Sequence, residues 1–308
     1  MSPLREGLHD YLRIRRQLGF ELKAQGRMLE GFVEFLEQAG AERITTELAL
    51  AWAKLPPQAH PHRWRQRLGI VRGFARYLAT IDPASEVPAR DLLPATQRRL
   101  APYIYSEAEI AALMDAARGL TPPLQAASLE TLIGLLASTG LRLGEALGLD
   151  RQDVDLNCGL LHVRLAKRRK QREVPLHPST TVALREYARL RDRLWPQPDT
   201  AAFFLSPRGR RLHRWTVHKF FPQLIREVGL EGRGQRARPR PHDLRHAFAV
   251  RTLLTWHREG ASVEQKLPLL ATFLGHGHPS DSHWYLQAVP ELLELVGRRL
   301  DGAFGEAS

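Results

Sequence analysis

The stretch Thr139-Gly140-Leu141-Arg142-Leu143-Gly144-Glu145 places an arginine between two helices. Before it, Leu129, Leu132, Ile133 and Leu136 recur at the spacing of a helix face, and Gly140 is the residue type that commonly ends one. A second, short helix is predicted to start just beyond Arg142. Arg142 then stands in a tight connection, its backbone anchored by Leu141 and Leu143 and its guanidinium able to point into a cleft. Glu145 is placed to orient Arg142 or to cap the helix rather than to act as a base.

Downstream, Gly159–Leu165 and Glu173–Leu176 read as two strands around the basic turn Lys167-Arg168-Arg169-Lys170, a β-hairpin with cations at its tip. From Arg208 to Arg251 the chain is densely basic, and taken alone such a run is a solvated face. Here it leads into His242-Asp243-Leu244-Arg245-His246. Residues three apart share a helix face, so His242 and Arg245 can address one phosphate together. Further on comes Leu274-Gly275-His276-Gly277-His278-Pro279-Ser280-Asp281-Ser282-His283-Trp284-Tyr285. His276, His278 and His283 offer three imidazoles, but no acidic cluster or known ligand spacing accompanies them, so no metal and no cofactor are expected.

Upstream, helical spacing runs from Leu4 to Leu18 and through Met28, Leu29, Phe32, Phe35 and Leu36 to Gly40. Shorter and longer helices follow at Thr46–Lys54 and Pro61–Ala79, the latter carrying Arg63, Arg65, Arg67, Arg72 and Arg76. This predicts a small helical bundle with a basic surface over residues 1–82. Pro83, Pro88, Pro94 and Pro102 punctuate an aperiodic stretch, which reads as an extended linker over 83–102. Ser106-Glu107-Ala108-Glu109 is a helix N-cap with acidic residues in the first turn, and a second domain is expected over 103–308.

Composition agrees with two folded domains. The 308 residues are long for one core, and 43% hydrophobic with 25% charged residues is ordinary for a globular chain. A formal charge of +12 points to a polyanionic partner, because neutralising phosphates releases condensed counterions. Charge alone fits RNA, a ribosome or anionic lipid equally well. The single cysteine, Cys158, excludes an intramolecular disulfide framework and a cysteine-rich zinc site. The N-terminus lacks the apolar run of a signal peptide, and no stretch approaches the roughly 20 apolar residues that span a bilayer. A cytoplasmic protein with a polyanionic partner and without a membrane partner is the expectation.

Each of these motifs is common by itself; their order and spacing together resemble the tyrosine recombinase and phage integrase family, with motif-level support from about Tyr103 to Val289. The resemblance implies a mainly α fold with a small β-hairpin or sheet, in which a helical core-binding domain and a catalytic domain form a clamp around duplex DNA. It implies that Arg142 and Arg245 bind the scissile phosphate through planar guanidinium donors, and that His242 and His276 hydrogen-bond it and assist proton movement. Tyr285 is then the nucleophile, giving a 3′-phosphotyrosyl enzyme that stores the phosphodiester energy without ATP. Lys167 is the acid that protonates the leaving 5′ oxygen. Because Ala166 and Arg168 flank it where many members have glycines, Lys170 stays open as an alternative.

The spacing from Arg245 to His276 and the sequence around Tyr285 are similar to transposon-borne recombinases, including those that occur as trios. The implied function is site-specific strand exchange for integration or transposition of a mobile element, by a tetramer of this chain or of related recombinase protomers on double-stranded DNA. The apolar stripe Leu292, Leu293, Leu295, Val296 and Leu300 either closes its own core or, as the resemblance implies, docks on a neighbouring protomer. Two alternatives remain at this point: a type IB topoisomerase-like enzyme that relaxes DNA, and a DNA-binding accessory protein of the same fold that does not cleave.

Overall fold

Helical periodicity sets most of the architecture. The computed structural model describes residues 2–94, 102–164, 171–230 and 238–275, and the chain divides into two units, Met1–Arg99 and Leu100–Ser308.

The first unit contains α1 (Pro3–Gln17), α2 (Lys23–Gln38), α3 (Thr46–Lys54) and α4 (Pro61–Leu78). Ser2 and Thr45 cap α1 and α3 by accepting backbone N–H bonds, and Pro3 and Pro61 occupy first-turn positions where no N–H is needed. Leu4, Leu8 and Leu12 of α1 meet Leu29, Phe32, Val33 and Leu36 of α2 and Leu68, Val71, Phe74 and Leu78 of α4 in one core. Helix α2 starts earlier than its apolar spacing suggests, after Leu22 takes a left-handed conformation at φ 46°.

Two readings of this unit change. The proline-rich segment after α4 is packed as far as residue 94: Glu86 N–H donates to Ile44 O at 2.8 Å, the Glu86 carboxylate accepts from Thr46 N–H at 2.7 Å, and Leu93 is buried in the core. The basic residues of α4 are also not all surface. Arg72 donates to Pro88 O at 2.7 Å and to Ala89 O, and Arg67 lies 3.6 Å over the Trp52 ring while donating to Trp52 O. Their guanidiniums satisfy carbonyls of the unit's own backbone.

The second unit contains α5 (Glu107–Arg118), α6 (Pro123–Thr139), α7 (Leu143–Gly148), β1 (Val154–Asp155), β2 (Leu160–Arg164), β3 (Gln171–Pro175), α8 (Pro178–Leu194), α9 (Arg214–Glu227), α10 (Pro241–Arg258) and α11 (Val263–Leu274). Ser106 and Glu109 form the capping box that starts α5. Helix α6 is buried on most of its faces, as its nearly continuous apolar sequence requires, and packs against α5, α8 and α10. The expected hairpin is present with a third, two-residue strand on its edge, in the antiparallel order β1-β2-β3. Its register pairs Leu161 with Val174, Val163 with Arg172 and Arg164 with Gln171. A separate core cluster joins Ala249, Val250 and Leu253 of α10 to Leu267, Leu270 and Leu274 of α11. Among the described residues no helix is long and apolar enough to cross a membrane.

Gly140 closes α6 at φ 61°, and a Cβ there would lie 2.6 Å from Phe248 Cδ1 and 2.8 Å from Leu274 Cδ2. Gly140→Ala combines left-handed backbone strain with overpacking, so it should lower unfolding free energy by roughly 2–4 kcal/mol in denaturant titration. A change below about 0.5 kcal/mol, the scale of an ordinary surface substitution, would mean that this helix junction is not tightly packed.

Candidate active site

The α6–α7 turn, the start of strand β3, the start of α10 and the end of α11 converge in the second unit. Arg142 is the N-cap of α7 in extended conformation. Its backbone N–H donates to Glu145 Oε2 at 3.0 Å, its Nη1 to Glu145 Oε1 at 2.9 Å, and its Nη2 to Gly275 O at 3.0 Å. Glu145 therefore both caps the helix and orients the arginine. The Arg142 side chain keeps 39% of its surface exposed, so the guanidinium is held in place yet open to a ligand.

Arg245 is held differently. It is only 2% exposed, with Nη1 donating to Gly140 O at 2.7 Å and Nη2 to Leu274 O at 2.8 Å. Those carbonyls lie at the C-terminal ends of α6 and α11, where unsatisfied C=O groups and the helix dipole favour a cation. Arg251, one helical turn and a half further along α10, makes a similar bond to Ala137 O at 2.7 Å.

His242 sits in the first turn of α10, edge-on to His246 with ring centroids 4.8 Å apart. Its imidazole is pushed down to about 4, by desolvation and by the guanidiniums of Arg245, Arg240, Arg142 and Arg214. Because the residue retains considerable solvent exposure, desolvation is partial and the surrounding cations are the more durable cause. His242 and Arg245 share α10 as expected, but one is open to solvent and the other buried. Asp243 between them is also buried, and its carboxylate accepts from Arg240 N–H at 2.8 Å to cap the helix. Burial raises the Asp243 carboxyl pKa against the opposing pull of Arg240.

Reading the sequence missed Arg172. It lies on β3, where it donates through Nη1 and Nη2 to the two Glu145 oxygens at 3.2 and 2.8 Å and through Nε to Phe273 O at 2.9 Å. The signal was the strand alternation: Arg172 is on the same face as buried Val174, an unusual place for an unpaired cation. Burial raises the Glu145 pKa, but bonds and charge from Arg172 and Arg142 outweigh it and hold the carboxyl below its ordinary value.

Of the six residues singled out from the sequence, Arg142, His242 and Arg245 come together here. Lys167, His276 and Tyr285 lie outside the described residues, as do Lys170 and the apolar stripe from Leu292 to Leu300. Among the described residues no group of three or more His, Cys, Asp or Glu side chains is placed to hold a metal ion.

Residues 104–291, more than half the chain, match the model of the phage integrase family. A protein of Sinorhizobium fredii that carries the name integrase/recombinase y4rB is 42% identical over 307 residues, covering 98% of each chain. Tyrosine recombinase XerC of Pseudomonas entomophila is 30% identical over 89% of this chain and 88% of its own. In fold, the chain is similar to the Tn1549 transposon integrase solved with transposon right end DNA, at a TM-score of 0.67 and 15% identity over 97% and 99% of the two chains. It is also similar to the XerH site-specific recombinase bound to difH substrate, at a TM-score of 0.64 and 20% identity over 90% and 76%. The motifs, the fold and these likenesses agree: the chain belongs to the phage integrase, or tyrosine recombinase, family.

Proposed function

We propose that the protein is a site-specific DNA recombinase that breaks and rejoins strands through a 3′-phosphotyrosyl intermediate, serving integration or transposition of a mobile element. The observation that carries this reading is the convergence of Arg142, Arg245 and His242, with Arg142 bonded to Gly275 O immediately before His276. Similarity over nearly the full length to an integrase/recombinase supports the mobile-element role.

A phosphodiester entering this site is an anion in a field of fixed guanidiniums. Arg142 presents the exposed donors, and Arg245 supplies charge from beneath, where the low local dielectric strengthens its action. As phosphorus takes on the fifth oxygen, this charge is already in place and needs no reorganisation. Tyr285 is the attacking group, its phenol a weak nucleophile at neutral pH with an ordinary pKa of about 10. In this reading His276, and His242 in its neutral form, hydrogen-bond the phosphate and accept or relay the phenol proton. Lys167 protonates the departing 5′ oxygen, with Lys170 the alternative in the same basic turn.

The first test is a suicide form of the element-end duplex, scored for covalent protein–DNA complex. Tyr285→Phe is expected to bind this duplex like the unaltered protein and form no adduct. An adduct that persists in the variant removes Tyr285 from the chemistry.

The acid is tested by replacing the 5′ bridging oxygen with sulfur, which leaves as a low-pKa thiolate and needs no proton. Lys167→Ala should be badly impaired on ordinary DNA and largely rescued on the sulfur substrate. Rescue confined to Lys170→Ala would transfer the role to Lys170.

His242 makes a prediction in pH. With its folded pKa near 4, below the ordinary value of about 6.5, the unfolded chain takes up the proton first. Stability is therefore lost as pH falls from about 6.5 towards 4, and the imidazole is neutral at pH 7. Imidazole NMR should give a midpoint near 4 in the free protein and a higher one with a bound phosphodiester. A free-protein midpoint near 6.5 would contradict the guanidinium field described for this recess.

A further inference from the structure

Arg172 joins three segments that are distant in sequence. Its side chain is 10% exposed, and all three of its guanidinium nitrogens have partners within the protein. Glu145 Oε1 accepts from both Arg142 Nη1 and Arg172 Nη1, while Oε2 accepts from Arg142 N–H and Arg172 Nη2. The same Arg172 donates to Phe273 O, and Arg142 donates to Gly275 O two residues later. These bonds form a closed ring through the α6–α7 turn, strand β3 and the end of α11.

The ring is tightly built. Gly275 has φ 66°, and a Cβ there would lie 2.6 Å from Arg172 Nη1 and 3.0 Å from its Cζ, so the end of α11 rests directly on the guanidinium. On the hairpin, Arg172 is paired with Val163 one step inside the last described pair, Arg164 and Gln171. Arg164 fastens the other strand to Asp153 at 2.5 Å and to Asp150 at 2.9 Å. The two strands are thus held by separate carboxylates, and among the described bonds the Arg172 anchor is the one that runs to Arg142.

We infer that Arg172 is a positioning residue, whose fork fixes Glu145 and thereby the orientation of Arg142 while docking the loop end of the β2–β3 pair against the end of α11. The inference rests on the proposed cleavage chemistry. The three guanidinium nitrogens of Arg172 donate within the protein and its side chain is 10% exposed, against 39% for Arg142, so its assigned role is to position rather than to contact the phosphate. A lysine keeps the charge but offers no planar fork, so it cannot hold both Glu145 oxygens and the carbonyl together.

The test is single-turnover cleavage of the suicide duplex at saturating DNA, with affinity and thermal stability measured on the same samples. R172K is expected to cleave at least roughly tenfold more slowly, within the ~100-fold that an ångström of misplacement costs, while its DNA affinity stays within about threefold. E145Q should give a similar loss, and the double variant R172K/E145Q no more than either alone, since the two residues act as a unit. R172A leaves a buried carboxylate short of partners and serves only as a stability control.

A folded R172K that cleaves within about twofold of the unaltered protein overturns the inference, as does full additivity with E145Q. Equal losses in affinity and cleavage would make Arg172 a DNA contact and overturn it too. If R172K does not fold, Arg172 is a stability residue and the inference fails. The unaltered protein and Y285F are run alongside: absence of adduct in the first, or adduct in the second, would instead bring down the cleavage chemistry on which the inference depends.

Discussion

A single buried guanidinium sits between the C-terminal ends of two helices, and the catalytic unit is arranged around it. Arg245, carried by α10, donates to Gly140 O at the end of α6 and to Leu274 O at the end of α11. Each helix closes through a left-handed glycine, Gly140 at φ 61° and Gly275 at φ 66°. Both ends are also too crowded for a side chain, by Phe248 and Leu274 at one and by Arg172 at the other. Removing the guanidinium would leave buried carbonyls without donors, a cost of about 1–3 kcal/mol for each. The same charge that joins the helices is the one that an incoming phosphate would meet.

Two carboxylates of the recess are engaged by arginines. Among the described residues, Glu145 is shared between Arg142 and Arg172, and Asp243 is engaged by Arg240. Arg245 donates to two backbone carbonyls, Gly140 O and Leu274 O. The lowered His242 pKa reflects desolvation together with the charge of four arginines, Arg245, Arg240, Arg142 and Arg214. In the proposed reaction these guanidiniums act on an anion whose charge grows as phosphorus becomes pentacoordinate.

Much of this was legible in the sequence where local chemistry determines structure. The Ser106 capping box, helix α3 at Thr46–Lys54 and the short helix after Arg142 follow from caps and apolar spacing. Helices α8 and α9 escaped notice, α9 because its basic residues read as a charged stretch rather than as one side of an amphipathic helix. Strand β1, two residues long, has no periodicity to read. The docking of residues 83–94 depends on Arg72 and Glu86 bonding to distant backbone, which no local pattern reveals. That Arg142, His242 and Arg245 come together was legible because motif order, unlike Arg172's tertiary bonds, is written along the chain.

The central claim is that the Arg245 guanidinium serves phosphoryl transfer as well as helix packing. Arg245→Lys, which keeps the charge but loses the second fixed donor, separates the two when cleavage of the suicide duplex is measured on protein shown to be folded and DNA-bound. Cleavage should fall by about 100-fold, the scale of an ångström of misplacement, because a lysine cannot hold both carbonyls and keep its charge fixed beneath the phosphate. Near-unaltered cleavage by the folded variant would contradict it, leaving Arg245 as a structural residue alone.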